Sequence, residues 1–187
     1  MKYLLSIILL LVTSKIIFGQ FPKPLSPPRL YNNFSTLKIL SDSEEAEIEA
    51  ILVKFEAETS NEIAVIVVDD LNDLEPWEYA TEIGEKWGVG KAEEDNGIVL
   101  LIKPTEKTSR REVFIAVGRG LESVVPDLTA NEIVQNELLP NFKNQAYFEG
   151  VKQAVKVLSE LSKGEYSHNK YSKKNKKGDF LIPFFYT

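Results

Sequence analysis

The chemistry this chain can offer is concentrated in a few side chains around two short glycine-containing turns. Asp95 and Asn96 open the run DNGIVLLIK, Arg119 stands between Gly118 and Gly120, and Glu122 and Asp127 follow. Three carboxylates and an amide are hard oxygen donors, the set that suits a divalent cation such as Ca²⁺, Mg²⁺ or Mn²⁺. Around such a cation, Asp95 or Asp127 could serve as base and Arg119 could hold a phosphoryl group. The same residues have a plainer use. Asn96-Gly97 is also the signature of a tight turn in which Asp95 caps backbone amides. Gly118-Arg119-Gly120 allows either close backbone approach to a ligand or a simple ion pair of Arg119 with Asp95 or Glu122.

Other chemistries lack raw material. The 187 residues contain no cysteine, which excludes disulfides, thiolate nucleophiles, Fe–S ligation and a lipid-modified cysteine. The only histidine, His168, lies in a polar tail, so histidine catalysis and His-rich zinc sites are not expected. Between residues 38 and 161 there are 12 Lys and Arg against 26 Asp and Glu, an acidic body that argues against nucleic acid as a partner. Residues 162–187 reverse the sign with 6 Lys against Glu165 and Asp179.

The acids must be positioned by regular elements. Residues 1–20 combine Lys2, a short apolar run and Gly19 near the exit, which reads as a signal peptide. Export to the periplasm or the exterior is therefore expected. Residues 21–40 read as an extended Pro-rich lead-in. Ser41 and Glu44 form a capping box before a helix over 42–59, whose Ile48, Leu52 and Phe55 share one face. The β-branched run 62–68 reads as a strand covered on both faces, followed by a helix from Pro76 to Trp87. Strands over 97–103 and 112–118 flank a polar loop. Thr129 and Glu132 read as a second capping box for a helix near 130–138, and a last helix follows Tyr147.

The first two strands are joined through a helix, so they should be parallel with a right-handed crossover. The second and third should form an antiparallel hairpin. The expected fold class is α/β, a three-layer α/β/α sandwich with a small mixed sheet, over 41–161. The hairpin places Asp95 and Asn96 beside Gly118–Glu122, with Asp127 close behind. Asp69 and Asp70 should lie at the opposite sheet edge. The basic tail, ending in FLIPFFYT, is open to membrane-surface contact, to an added strand, or to an unstructured end.

The runs WGVGKAEEDNGIVLLI, VFIAVGRGLESVVPD and LLPNFKNQAYFEGV closely resemble the TPM domain family, over about residues 30–161. That resemblance implies an extracytoplasmic α/β/α domain with a divalent-cation site, often calcium. It also implies acid phosphatase activity, or a role in assembling, maintaining or modulating membrane proteins. Asp95 and Asn96 match the family's Asp-Asn-Gly, Gly118, Gly120, Leu121 and Glu122 its Gly-x-Gly-Leu-Glu, and Asp127 the acid after proline. Asn33 stands where the family carries an acid, so one expected carboxylate is missing. Two readings result. One is an exported cation-binding module that docks a membrane protein or envelope complex; the other is a metal-dependent phosphomonoesterase.

Overall fold

The structure, a computed structural model, describes residues 21–105, 110–165 and 167–179. The expected signal peptide and the apolar segment 180–187 lie outside the described residues. The two longest apolar runs become the centre of the sheet. β2 (Glu62–Val67) and β3 (Gly97–Lys103) pair in parallel, and β3 pairs antiparallel with β4 (Glu112–Val117). A further strand, β1 (Tyr31–Asn33), adds to β2 in parallel and gives the order β1-β2-β3-β4. This corrects the expectation that residues 21–40 are only a lead-in. Three residues are too few to display a period of two, and β1 is held instead by its neighbour. Val65 N–H donates to Leu30 O and Phe34 N–H to Val67 O, both at 2.8 Å.

The helices are α1 (Asp42–Thr59), α2 (Pro76–Trp87), α3 (Asp127–Ile133), α4 (Leu139–Lys143), α5 (Tyr147–Ser162) and α6 (His168–Asp179). α1 carries the expected capping box, with Ser41 accepting from Glu44 N–H and Glu44 accepting from Ser41 N–H. α2 begins at Pro76 and ends at Gly88, whose φ of 69° is the left-handed cap that glycine adopts without strain. The start expected at Thr129 is displaced. Extended Pro126 fixes the chain's entry, Asp127 takes the acid-favouring first turn, and Thr129 is buried inside the helix. A π-helical stretch over Val134–Leu138 joins α3 to α4, just before Pro140, which has no N–H to return to the ladder. Part of the basic tail is helical: in α6, Tyr171 is buried and its hydroxyl donates to Glu137 at 2.9 Å.

Side-chain alternation divides the core into two layers. Ile63, Val65, Val67, Ile98, Leu100 and Ile102 pack against Leu52 of α1, Ile133 of α3 and Leu158 of α5. Ala64, Ile66, Val68, Val99 and Leu101 pack against Tyr79, Ala80 and Ile83 of α2. The result is a three-layer α/β/α sandwich, in which, among the described residues, α2 is the one helix on its face of the sheet. From β1 through β3 the strands advance in one direction across the sheet, yet α1 and α2 lie on opposite faces. The two crossovers are therefore of opposite hand, and one departs from the right-handed rule.

Candidate functional site: a glycine-floored groove between α2 and β4

The strand directions create two rims. Where β3 begins and β4 ends, Gly118 N–H donates to Gly97 O at 2.8 Å, and Gly120 N–H donates to Asp95 O at 2.9 Å. Asp95 itself holds φ at 47°. A Cβ on Gly118 would lie 2.3 Å from Asp95 O, and one on Gly120 would lie 2.0 Å from Glu94 O. Both glycines thus exist so that the end of β4 can lie directly on the 91–96 loop. Arg119, projecting between them, sits 3.9 Å from Asp95 Oδ2 with both side chains largely in solvent.

Asn96 is the buried member of this corner, only 3% exposed. Its Oδ1 accepts from Lys91 N–H at 2.8 Å. Its Nδ2 donates to Ser60 O at 2.9 Å and lies within reach of Asn61 Oδ1 and Glu94 Oε2. The buried amide is committed to fastening the loop, and Asn96 does not line the groove. Glu62, at the start of β2, accepts from Gly90 N–H at 3.0 Å, and burial raises its pKa against the lowering effect of that bond.

Between α2 and β4 the surface opens into a groove of about 560 Å³. Its floor is made of small residues, Ala80, Gly84, Gly97 and Ala116, together with Val99. Its rim carries Glu85, Lys91, Asp95, Arg119 and Glu122. Gly118 lies on the lining, whereas Asn96 and Gly120 do not line the groove and instead fasten the 91–96 loop. Of the residues proposed from sequence, the groove brings together Asp95, Arg119, Glu122 and Gly118. Asp127 does not line it: it opens α3, in the layer on the other face of the sheet.

Asn33 is on the opposite rim, at the carboxyl end of β1. There its Oδ1 accepts from Ser35 N–H at 2.9 Å, and its side-chain amide donates to Leu37 O at 3.3 Å. Asp69 shares that rim, as expected. Partial burial opposes its charge, but hydrogen bonds from Ser35, Thr36 and Thr105 hold its carboxyl far below the usual carboxylate range. Glu85 and Lys91 were not anticipated. The signal was present in α2, where Ala80 and Gly84 at i,i+4 spacing mark a face with almost no side chain to fill it.

A divalent cation finds an incomplete shell here. Among the described residues, no three His, Cys, Asp or Glu side chains come together as metal ligands. The groove rim offers three exposed carboxylates, Glu85, Asp95 and Glu122, that do not converge on one point, where Ca²⁺ takes about six to eight oxygens. The side chains do not form a complete protein cage, and no catalytic step can be derived through a metal.

The TPM domain model matches residues 35–161. The chain belongs to the TPM domain family. Three solved structures share the fold of this TPM-domain protein. The solution NMR structure of the N-terminal domain of a protein from P. gingivalis is 23% identical, with a TM-score of 0.62, covering 73% of this chain and 83% of that one. The N-terminal domain of the cg2496 protein from Corynebacterium glutamicum is 13% identical, with a TM-score of 0.55, covering 80% and 89%. The BA42 protein from the psychrophilic bacterium Bizionia argentinensis is 17% identical, with a TM-score of 0.58, covering 71% and 88%. No curated protein matches it. The TPM motif residues Asp95, Gly118, Gly120 and Glu122 meet at the corner just described, where the two glycines carry the backbone contacts.

Proposed function

We propose that this TPM-domain protein is exported and acts as a binding module, holding a segment of a membrane protein or envelope complex in the groove between α2 and β4. The observation that carries this reading is the floor. Ala80, Gly84, Gly97 and Ala116 leave an open trough about 560 Å³ in volume beneath a rim of mixed charge. Small residues let a partner's backbone approach closely, and Glu85, Lys91, Asp95, Arg119 and Glu122 supply charged contacts at the edge. A cation at this rim, Ca²⁺ first, would complete its shell with oxygens from the partner or water. Asp95 faces the Arg119 guanidinium, and Asp127, the other acid that hydrolysis would recruit as base, opens α3 away from the groove. This supports binding over phosphomonoester hydrolysis.

The test is site-specific photocrosslinking in the native cell, with the reactive residue at Glu85 or Arg119 and, as control, at exposed Lys156 on α5. Adducts with the same membrane or envelope protein from both groove positions, and none from Lys156, are expected. Equal labelling from all three positions defeats the docking reading. Turnover of a chromogenic phosphomonoester that disappears in Asp95→Ala replaces it with the enzymatic one. Residues 1–20 are tested by N-terminal sequencing of the mature protein: a chain beginning at or near Phe21 is expected, and a cytoplasmic chain retaining Met1 refutes export.

A further inference from the structure

The rim opposite the groove carries a second pocket, independent of the docking reading. Residues 34–41 leave β1 toward α1 on one face of the sheet, while residues 68–75 leave β2 toward α2 on the other. Connections that diverge from the carboxyl ends of adjacent parallel strands open a crevice, the place where open α/β sheets hold ligands. Beside it lies a pocket of about 250 Å³ lined by Arg29, Tyr31, Asn33, Ser35, Lys38 and Glu45.

Tyr31 is 1% exposed, and among the described residues its buried hydroxyl has no hydrogen-bond partner. A buried hydroxyl without a partner is costly and uncommon. Burial and the neighbouring Glu45 both disfavour its ionisation, so it stands as a neutral donor. Arg29 lies 3.9 Å from Glu45 and 4.0 Å from Glu49, within ion-pair range but beyond hydrogen-bond contact. Among the described residues, neither the Arg29 guanidinium nor the Glu45 carboxylate makes a hydrogen bond. Glu49, by contrast, is occupied by Leu30 and Tyr31 N–H. Lys38 gives one donor to Asp42, and the wall is fixed by Ser35 donating to Asp69 at 2.5 Å.

Two cations, one carboxylate and a neutral hydroxyl therefore share one small volume, with capacity unspent on each. A simple anion would meet Glu45, and a simple cation would meet Arg29 and Lys38. We propose that this pocket binds a small zwitterion of the free amino-acid class. The ligand carboxylate faces Arg29 and Lys38, its ammonium faces Glu45, and the Tyr31 hydroxyl donates to it.

The experiment is a titration of the ¹⁵N-labelled protein with L-alanine and L-glutamate, with acetate and methylammonium as probes carrying half the charge pattern. Saturable amide shifts within residues 29–45 are expected for at least one amino acid, with affinity at least about tenfold above that for acetate or methylammonium. Tyr31→Phe and Arg29→Met should each weaken binding about tenfold. Tyr31→Phe should leave the spectrum otherwise folded. The absence of saturable shifts up to ~50 mM overturns the proposal. So does acetate binding as tightly as the amino acids, and so does Tyr31→Phe binding undiminished.

Discussion

Replacing Gly118 by alanine tests the claim that this glycine serves a backbone-on-backbone contact. The φ of −65° and ψ of 149° at Gly118 are open to any residue, so backbone conformation alone predicts a neutral change. The surroundings predict otherwise. The new Cβ would stand 2.3 Å from Asp95 O and 3.0 Å from Asp95 Oδ1. The first contact must lengthen by about 1 Å, because it is made with backbone rather than with a movable side-chain tip. Relief means lifting the 91–96 loop off the end of β4, which strains the Gly118–Gly97 and Gly120–Asp95 hydrogen bonds. Overpacking costs ~1–3 kcal/mol and a weakened hydrogen bond ~1 kcal/mol. The expected loss is about 2–4 kcal/mol, or roughly 6–15 °C in Tm for a domain of this size. The control is Gly88→Ala, at φ 69° with nothing within 4 Å of the added Cβ, where only about 1 kcal/mol of conformational cost applies. Thermal melting followed by circular dichroism measures both. If Gly118→Ala melts within about 2 °C of the parent, or loses less than Gly88→Ala, the contact does not govern this corner.

Asn96→Asp should cost more than ~3 kcal/mol in urea denaturation, since it sets a buried carboxylate against Ser60 O, Asn61 Oδ1 and Glu94 Oε2; a loss below ~1 kcal/mol would mean the amide is dispensable. Tyr31→Phe should raise stability by ~1 kcal/mol in the absence of ligand, by deleting an unpartnered buried hydroxyl, and a clear loss in the same urea assay would reveal a hidden partner. The depressed carboxyl of Asp69 contributes stability that is complete above the unfolded value of about 3.9 and is lost as pH falls toward the folded one. Urea midpoints of Asp69→Asn should therefore converge with those of the parent below that pH, and parallel curves would contradict the assignment. Calcium alone at ~1 mM should add less than ~0.1 kcal/mol, as for a site weaker than ~10 mM. A gain near ~1.4 kcal/mol by calorimetry would indicate a Kd near 100 µM and a far better cage than separate rim carboxylates.

The parts of the fold legible in the sequence were those set by local rules with strong amplitude. The Ser41–Glu44 box, Pro76 at a helix start, and the long apolar runs of β2 and β3 each carry their own signal. The hairpin then correctly brought Asp95 beside Gly118 and Arg119. What stayed hidden depends on partners distant in sequence. β1 is three residues recruited by the free edge of β2, and nothing in Tyr-Asn-Asn announces it. Because β1 runs parallel to β2, its end carries Asn33 to the rim of Asp69 and away from Asp95. Asp127 was adjacent in sequence to the right corner but belongs to α3, whose apolar face is drawn to the other side of the sheet. Asn96 had the composition of a ligand, and only its burial reveals a fastener.

The short edge strand also bears on where this domain can be cut. The family match begins at residue 35, two positions after β1 ends. A fragment trimmed to that boundary would keep every helix and most of the core, yet it would strip the hydrogen-bonded cover from Val65–Val67. An exposed row of amides and carbonyls on a flat β-branched strand invites pairing with its own kind. Such a fragment should self-associate where the longer chain does not, so the three residues act as a guard against sheet-to-sheet polymerisation.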